Sequence, residues 1–250
     1  MTETWVILGA GSSIARAFAH EAAATGAGII LVGRDAEDLR TQCGDLRIRH
    51  GVPADALVFD ARDTQAHAGL ARAVDAHALE AQAGTINVFA AFGWMPPQAE
   101  SEADPALALE VIAVNFAGMV SLLLHLAPLL ERRQAGRVVV LGSVAGDRGR
   151  LSNHIYGSAK AGLHAFLQGL RARLWRSGIT VTTVKPGFTD TAMTWGVKGM
   201  ALVASPQAVA RRCLSQAGKG AEEVYVPAFW WVIMTIIRAI PERLFKRLSL

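Results

Sequence analysis

The chain has 250 residues, 52% of them hydrophobic and 18% charged, with a formal net charge of +4. That length supports a sizeable core in one domain, and the modest charge gives no reason to expect a nucleic-acid partner. Two cysteines, Cys43 and Cys213, and seven histidines show neither pairing nor ligand spacing, which excludes a disulfide scaffold and leaves a metal site without support.

The hydrophobic pattern predicts strands and helices in alternation. Strands are expected at 4–8, 28–33, 55–59, 86–91, 136–142, 179–185 and 223–226. Helices are expected at 13–25, 35–50, 64–82, 103–132, 154–176 and 205–217. This order predicts an α/β fold, a single doubly wound parallel sheet (a Rossmann fold) with helices on both faces. The first strand begins almost at the N-terminus, so no signal peptide is expected. The strand-following segments Gly9–Ser13, Gly93, Ser143 and Pro186–Thr191 should converge at the carboxyl edge of the sheet.

The first strand runs into Gly9-Ala10-Gly11-Ser12-Ser13-Ile14. Small residues there let the backbone approach a pyrophosphate, which then meets the free N–H groups of the following helix. The second strand ends at Gly33-Arg34-Asp35. A carboxylate at that tip would favour NAD through the ribose 2′-hydroxyl. A guanidinium suits a 2′-phosphate, so Arg34 favours NADP(H) over NAD(H); the competing reading pairs Arg34 with Asp35 or Asp38. Tyr156 and Lys160 stand four apart, on one face of an expected helix. An ammonium beside a phenol favours the phenolate and lowers its pKa, which suits a tyrosine for proton transfer. Ser143 lies 13 residues upstream, just after an apolar strand.

These motifs resemble the classical short-chain dehydrogenase/reductase family over about residues 4–227. Gly9 opens a segment similar to the family's Thr-Gly-x3-Gly-x-Gly. Asn115 resembles its helix asparagine, and Ser143, Tyr156 and Lys160 fall at its catalytic positions. Pro186-Gly187-Phe188-Thr189-Asp190-Thr191 resembles its Pro-Gly-x3-Thr. The resemblance implies an oxidoreductase acting on CH–OH and C=O groups. Tyr156 would give the proton, Lys160 would hold the nicotinamide ribose and lower the tyrosine pKa, and Ser143 would orient the carbonyl. Asn115 would anchor a water leading to solvent. The implied cofactor set is Gly9, Gly11, Ser12, Ser13, Ile14, Arg34, Asp60, Gly93, Tyr156, Lys160, Pro186, Gly187, Thr189 and Thr191. Asp60 would face the adenine amino group or cap a helix. A homodimer or homotetramer is implied as well.

The chain departs from the pattern in places. Ser13 and Ala15 replace two family glycines, Leu8 replaces a threonine, and Ala90-Ala91-Phe92-Gly93 replaces Asn-Asn-Ala-Gly. These departures mark a divergent subfamily with its catalytic positions intact. Ser13, Ala15 and Ala90-Ala91 are the only support for an alternative, a non-catalytic dinucleotide-binding sensor or scaffold, and Ser143, Tyr156 and Lys160 weigh against it. The segment Thr191 to Ser205 would form a substrate lid. It carries Met193, Trp195, Val197, Met200, Leu202 and Val203, with Lys198 its only charge apart from Asp190 at its edge. Met193 and Trp195 are the expected substrate contacts, with Ser143 and Tyr156.

Residues 1–227 are read as the catalytic domain and 228–250 as a helical extension. The apolar run Val226 to Ile237 is about 12 residues, whereas a bilayer core needs about 20. Two tryptophans beside Arg243, Lys246 and Arg247 suit a membrane surface. The tail and the Ala-Phe-Gly segment resemble the branch that reduces the 2-keto form of decaprenylphosphoryl ribose. That implies a lipid-linked keto substrate and a cytoplasmic protein lying against the inner membrane. The alternative is a soluble reductase of a small ketone or 3-oxoacyl group, with the tail serving oligomerisation.

Overall fold

The computed structural model describes residues 3–195 and 202–248. Seven strands form one parallel sheet in the order β3-β2-β1-β4-β5-β6-β7. They are β1 (Glu3–Leu8), β2 (Gly28–Gly33), β3 (Ala54–Val58), β4 (Thr85–Ala90), β5 (Arg137–Leu141), β6 (Thr180–Pro186) and β7 (Glu223–Val226). The expected doubly wound sheet is therefore present, with strand limits within about two residues of the pattern. Strand order reverses between β1 and β4, and the crevice of such a sheet opens at that point. Parallel strands buried on both faces read as near-continuous apolar runs, as Trp5-Val6-Ile7-Leu8 and Val138-Val139-Val140 do.

Helices α1 (Ser13–Ala23), α2 (Ala36–His50) and α8 (Pro206–Gly218) cover one face. Phe18 of α1 stacks on Phe89 of β4 with ring centroids 3.8 Å apart. Helices α3 (His67–Glu80), α6 (Gly118–Arg133) and α7 (His154–Trp175) cover the other, with Leu122, Leu126, Leu163 and Leu167 nearly or fully buried. The run Pro105–Arg133 is long and apolar enough to cross a membrane by composition alone, and the α6 part of it is seated in this layer.

The helix expected at 103–132 runs from Pro105 to Arg133, with one π-helical turn inside it. A short α4 (Gln98–Ala103) ends, α5 (Pro105–Ile112) follows, and a π-helical turn spans Ala113–Ala117 before α6. Proline has no N–H to donate and suits a first helical turn. Asp104 accepts the Ala106 N–H at 2.9 Å and caps α5. The wide turn follows from Asn115, whose side chain bonds inside the helix, as described below.

The tail is seated on the domain. Trp230 and Met234 of α9 (Trp230–Ala239) are buried with Val144 and Tyr225. Arg148 closes the end of α9 by donating to the carbonyls of Ile237, Arg238 and Ile240, at 3.3, 3.0 and 2.8 Å. It also pairs with Glu242 at 2.7 Å. Its guanidinium stands 4.2 Å from the ring centre of Phe245, in α10 (Glu242–Phe245). As the pattern predicts, the first tail helix stops before Pro241 and a second begins after it.

Arg148→Ala should release the tail by removing these partners at once. We expect the thermal midpoint to fall by several degrees, for a loss of about 2–3 kcal/mol. Limited proteolysis should then cut near Arg238; an unchanged cleavage pattern would show that Arg148 does not hold the tail.

Candidate active site

Strand ends deliver the site to the switch point. β1 leads into Gly9, which has φ +84° and a backbone packed on Phe92. A Cβ at Gly9 would stand 2.7 Å from the Phe92 nitrogen, so only glycine fits. Ser12 caps α1 by accepting the Ala15 N–H at 3.2 Å. Ser13 opens α1 without a positive φ, so its replacement of a glycine carries no backbone strain. Ala15 is fully buried and Ile14 nearly so, and a Cβ at Gly11 would meet nothing within 4 Å. The turn thus leaves open space above the N-terminus of α1, where backbone N–H groups point outward.

Arg34 is exposed at the tip of β2. Its expected partners are engaged elsewhere. Asp35 caps α2 through the N–H groups of Glu37 and Asp38, and Asp38 pairs with Arg16 at 2.7 Å. No ion pair ties down Arg34 among the described residues. The cradle at Gly9–Ser13 and a free guanidinium beside it fit a dinucleotide.

Asp60 does not serve as the helix cap that was one of its two expected roles. The Arg62 side chain holds it at 2.7 Å, the Arg62 N–H donates to it at 3.0 Å, and Arg62 also reaches Glu110 at 3.1 Å. The Arg62 side chain bond lowers the Asp60 pKa. Asp60 caps no helix: α3 starts at His67, after Ala66, with no side-chain cap. An arginine two residues on satisfies the carboxylate before a helix can.

Four candidate residues meet below Gly93. Asn115 is fully buried. Its Nδ2 donates to the Trp94 carbonyl at 2.6 Å and the Val111 carbonyl at 2.9 Å, and its Oδ1 accepts the Trp94 N–H at 3.2 Å. Every strong bond of this amide goes to the 94 loop or its own helix, which fixes the π turn. Lys160 is 3% exposed and donates to the Leu141 carbonyl at 3.1 Å. Its ammonium lies 5.7 Å from the Tyr156 ring centre. Ser143 follows β5, accepts the Ala145 N–H at 3.1 Å and hydrogen-bonds the Tyr156 hydroxyl.

Burial sets the protonation of this pair. It pushes the Tyr156 phenol up to about 12, against the Ser143 hydrogen bond, and pushes Lys160 down to about 8. The expected lowering of the phenol by Lys160 is therefore not what the geometry gives: desolvation disfavours both charged forms and outweighs an ammonium 5.7 Å away. The phenol keeps its proton through the neutral range, which suits a proton donor.

The Pro186–Thr191 segment lies across the cleft. Thr189 is buried and bridges to Ala204, Thr194 donates to the Thr189 carbonyl at 2.6 Å, and the Thr191 N–H donates to Thr194 at 3.2 Å. Trp230 of the tail fills the space over Gly187, so that no Cβ fits there. Met193 reaches toward Gly93, its methyl 3.8 Å from where a Cβ would stand. Trp195 is 74% exposed and bonds to Asp190 at 3.3 Å, so it does not join the cluster. Val197, Lys198 and Met200 lie outside the described residues.

Sequence reasoning missed three residues here: Trp230, Arg148 and His164. His164 had a signal, since it stands four residues after Lys160 on the same face of α7.

The model of the short-chain dehydrogenase family matches residues 3–201. The chain is 34% identical over 244 residues to an uncharacterised oxidoreductase of Mycobacterium tuberculosis, covering 97% of this chain and 96% of that one. It is 35% identical over 247 residues to one of Streptomyces coelicolor, covering 97% and 94%. Among solved structures it resembles a short-chain dehydrogenase of Sphingobium yanoikuyae in complex with NADPH. The TM-score there is 0.76 at 25% identity, covering 96% of this chain and 97% of that one.

Gly93→Ala tests the crowding under the 94 loop. The added Cβ would stand 2.8 Å from the Asn115 Oδ1. We expect at least a tenfold rise in the Kd for NADPH, about 1.4 kcal/mol, read by nicotinamide fluorescence; an unchanged Kd would separate Gly93 from the cofactor cleft.

Proposed function

The chain belongs to the short-chain dehydrogenase family of NAD(P)-dependent oxidoreductases, and from that premise we propose that it reduces the keto group of a lipid-linked or other bulky apolar substrate, using NADP(H). Interconversion of a carbonyl and an alcohol is the chemistry of the family. The finer reading rests on one observation. The tail helix presents two apolar faces: Trp230 and Met234 turn inward, while Phe229, Trp231, Val232 and Ile236 remain exposed. Arg238, Arg243, Lys246 and Arg247, in the same tail, are exposed and without ion pairs among the described residues. Apolar side chains flanked by cations suit an anionic membrane surface.

In this reading the cofactor, when bound, supplies the hydride. Gly9 to Ile14 would line its pyrophosphate, and Arg34 would meet its 2′-phosphate. Gly93, Gly187, Thr189 and Thr191 would border its nicotinamide end. Tyr156 would donate its proton to the carbonyl oxygen, and Ser143 would hydrogen-bond that oxygen and aim it. Lys160 would hold positive charge beside the alkoxide-like oxygen, and Asn115 would keep the 94 loop in place. Met193 would pack on the substrate.

A second reading has support in the same helix face. A second copy of the chain could cover Trp231 and Ile236, with a small ketone as substrate. Trp231→Ser with Ile236→Ser separates the two, because neither residue belongs to the buried face. On the first reading, flotation with phosphatidylglycerol vesicles is lost while melting and NADPH binding stay the same. Loss of oligomeric mass with unchanged flotation would favour the second.

Tyr156→Phe should abolish turnover of NADPH with ketones and leave the Kd for NADPH within about threefold. Turnover at the wild-type rate would remove Tyr156 from the chemistry. Arg34→Ala should weaken NADPH about tenfold, roughly 1.4 kcal/mol, and NADH far less. The pH profile follows from Lys160. Its ammonium is present below about 8 and lost above, while Tyr156 keeps its proton throughout. Ketone reduction should therefore be level to about pH 7 and decline through pH 8–9.

A further inference from the structure

Behind Ser143 lies a group of buried polar side chains that the cleft itself does not use. His164 is 5% exposed and sits on α7, one turn beyond Lys160. The Ser143 N–H donates to its Nε2 at 3.4 Å, and its Nδ1 faces the Asp147 Oδ1 at 3.6 Å. Asp147 is held in turn. Lys185 pairs with it at 3.0 Å, the Tyr225 hydroxyl donates to it at 2.6 Å, and Lys185 also reaches Glu223 at 2.9 Å. Gly142 and Gly146 make room for the ring, since a Cβ on either would collide with it. The backbone on both sides of Ser143 is thus shaped around one imidazole.

We propose that His164 is a positioning residue for Ser143: Nε2 accepts the Ser143 backbone N–H, Asp147 orients the ring through Nδ1–H, and the pair holds the Ser143 hydroxyl against Tyr156. This rests on Ser143 acting on the substrate oxygen. The arrangement demands one form of the ring, neutral with the proton on Nδ1, because Nε2 must keep a free lone pair. The surroundings favour the neutral form. Burial lowers the His164 pKa to about 4, Lys185 and Lys160 add to that, and Asp147 and Glu223 oppose it. A carboxylate 3.6 Å from Nδ1 and a backbone N–H on Nε2 together favour one tautomer and one direction of the ring.

The test compares His164→Asn with His164→Gln. Asparagine is too short to reach the Ser143 N–H, whereas glutamine places an amide oxygen near the Nε2 position. Turnover is followed with NADPH and 2-octanone. We expect His164→Asn to lower kcat on the order of tenfold to a hundredfold, with the NADPH Kd unchanged, and His164→Gln to recover most of the loss. Ser143→Ala combined with His164→Asn should be no slower than Ser143→Ala alone, since a residue acting through Ser143 has nothing left to position. Losses that multiply, or a wild-type kcat for His164→Asn beside a slow Ser143→Ala, would overturn the proposal. A wild-type rate for Ser143→Ala would instead overturn the role of Ser143, a distinguishable result. Histidine 15N NMR of the unaltered protein needs neither turnover nor a variant to fold. It should show His164 as the neutral Nδ1–H tautomer down to pH 5, and an Nε2–H tautomer or a charged ring at pH 6 would refute the arrangement.

Discussion

The site depends on one buried amine. Lys160 is almost without solvent access and has one close acceptor among the described residues, the Leu141 carbonyl at the end of β5. A desolvated ammonium is costly, and the cost appears as the lowered pKa. Its neighbours follow from that placement. Gly93 has no side chain, because a Cβ would stand 2.8 Å from the Asn115 Oδ1. Asn115 spends its amide on the 94 loop, and α5–α6 widens into a π turn to let it. Tyr156 is buried with the lysine and remains protonated. The same low-polarity surroundings that penalise the lysine charge keep the phenol a donor, so one environment sets both protonation states.

Much of this was legible in the chain because its signals are local. Apolar runs such as Val138-Val139-Val140 mark central parallel strands, and Gly9 marks a turn that only glycine can make. The four-residue spacing of Tyr156 and Lys160 places both on one helix face. Where the reading departed from the structure, the deciding partner was distant or the balance quantitative. Asp60 carries the signal of a helix cap, yet Arg62, two residues on, takes it. The tyrosine–lysine pair predicts a lowered phenol pKa, but spacing does not report the depth of burial. The break at Pro105 was present as Asp104-Pro105, whereas the π turn needed the 94 loop, 21 residues away from Asn115.

The tail was read as an extension after residue 227, and its inner face packs on the domain. Trp230 packs on Gly187 in the Pro-Gly segment, Met234 packs on Val144 beside Ser143, and Arg148 of the same loop caps α9. A helix joined to the loop that carries Ser143 cannot leave without disturbing it. That bears on the membrane reading: residues already outward, among them Phe229, Trp231, Val232 and Ile236, are the ones available to a bilayer, and their engagement would leave the docked face in place.

The buried group around Asp147 gives this coupling a physical form. Asp147 meets His164 from α7, Lys185 from β6 and Tyr225 from β7. Glu223 is a second carboxylate on Lys185, at 2.9 Å. His164, Lys185 and Tyr225 are buried and paired with Asp147, and removing one would leave an uncompensated charge or donor, which costs more than the pair itself contributes. Such a group is poor ballast for stability but a strict determinant of geometry. It holds the 143–148 loop from beneath while Arg148 holds it from the tail, so Ser143 is fixed by two independent sets of contacts. Contact with the outward face of the tail would then leave Ser143 in place.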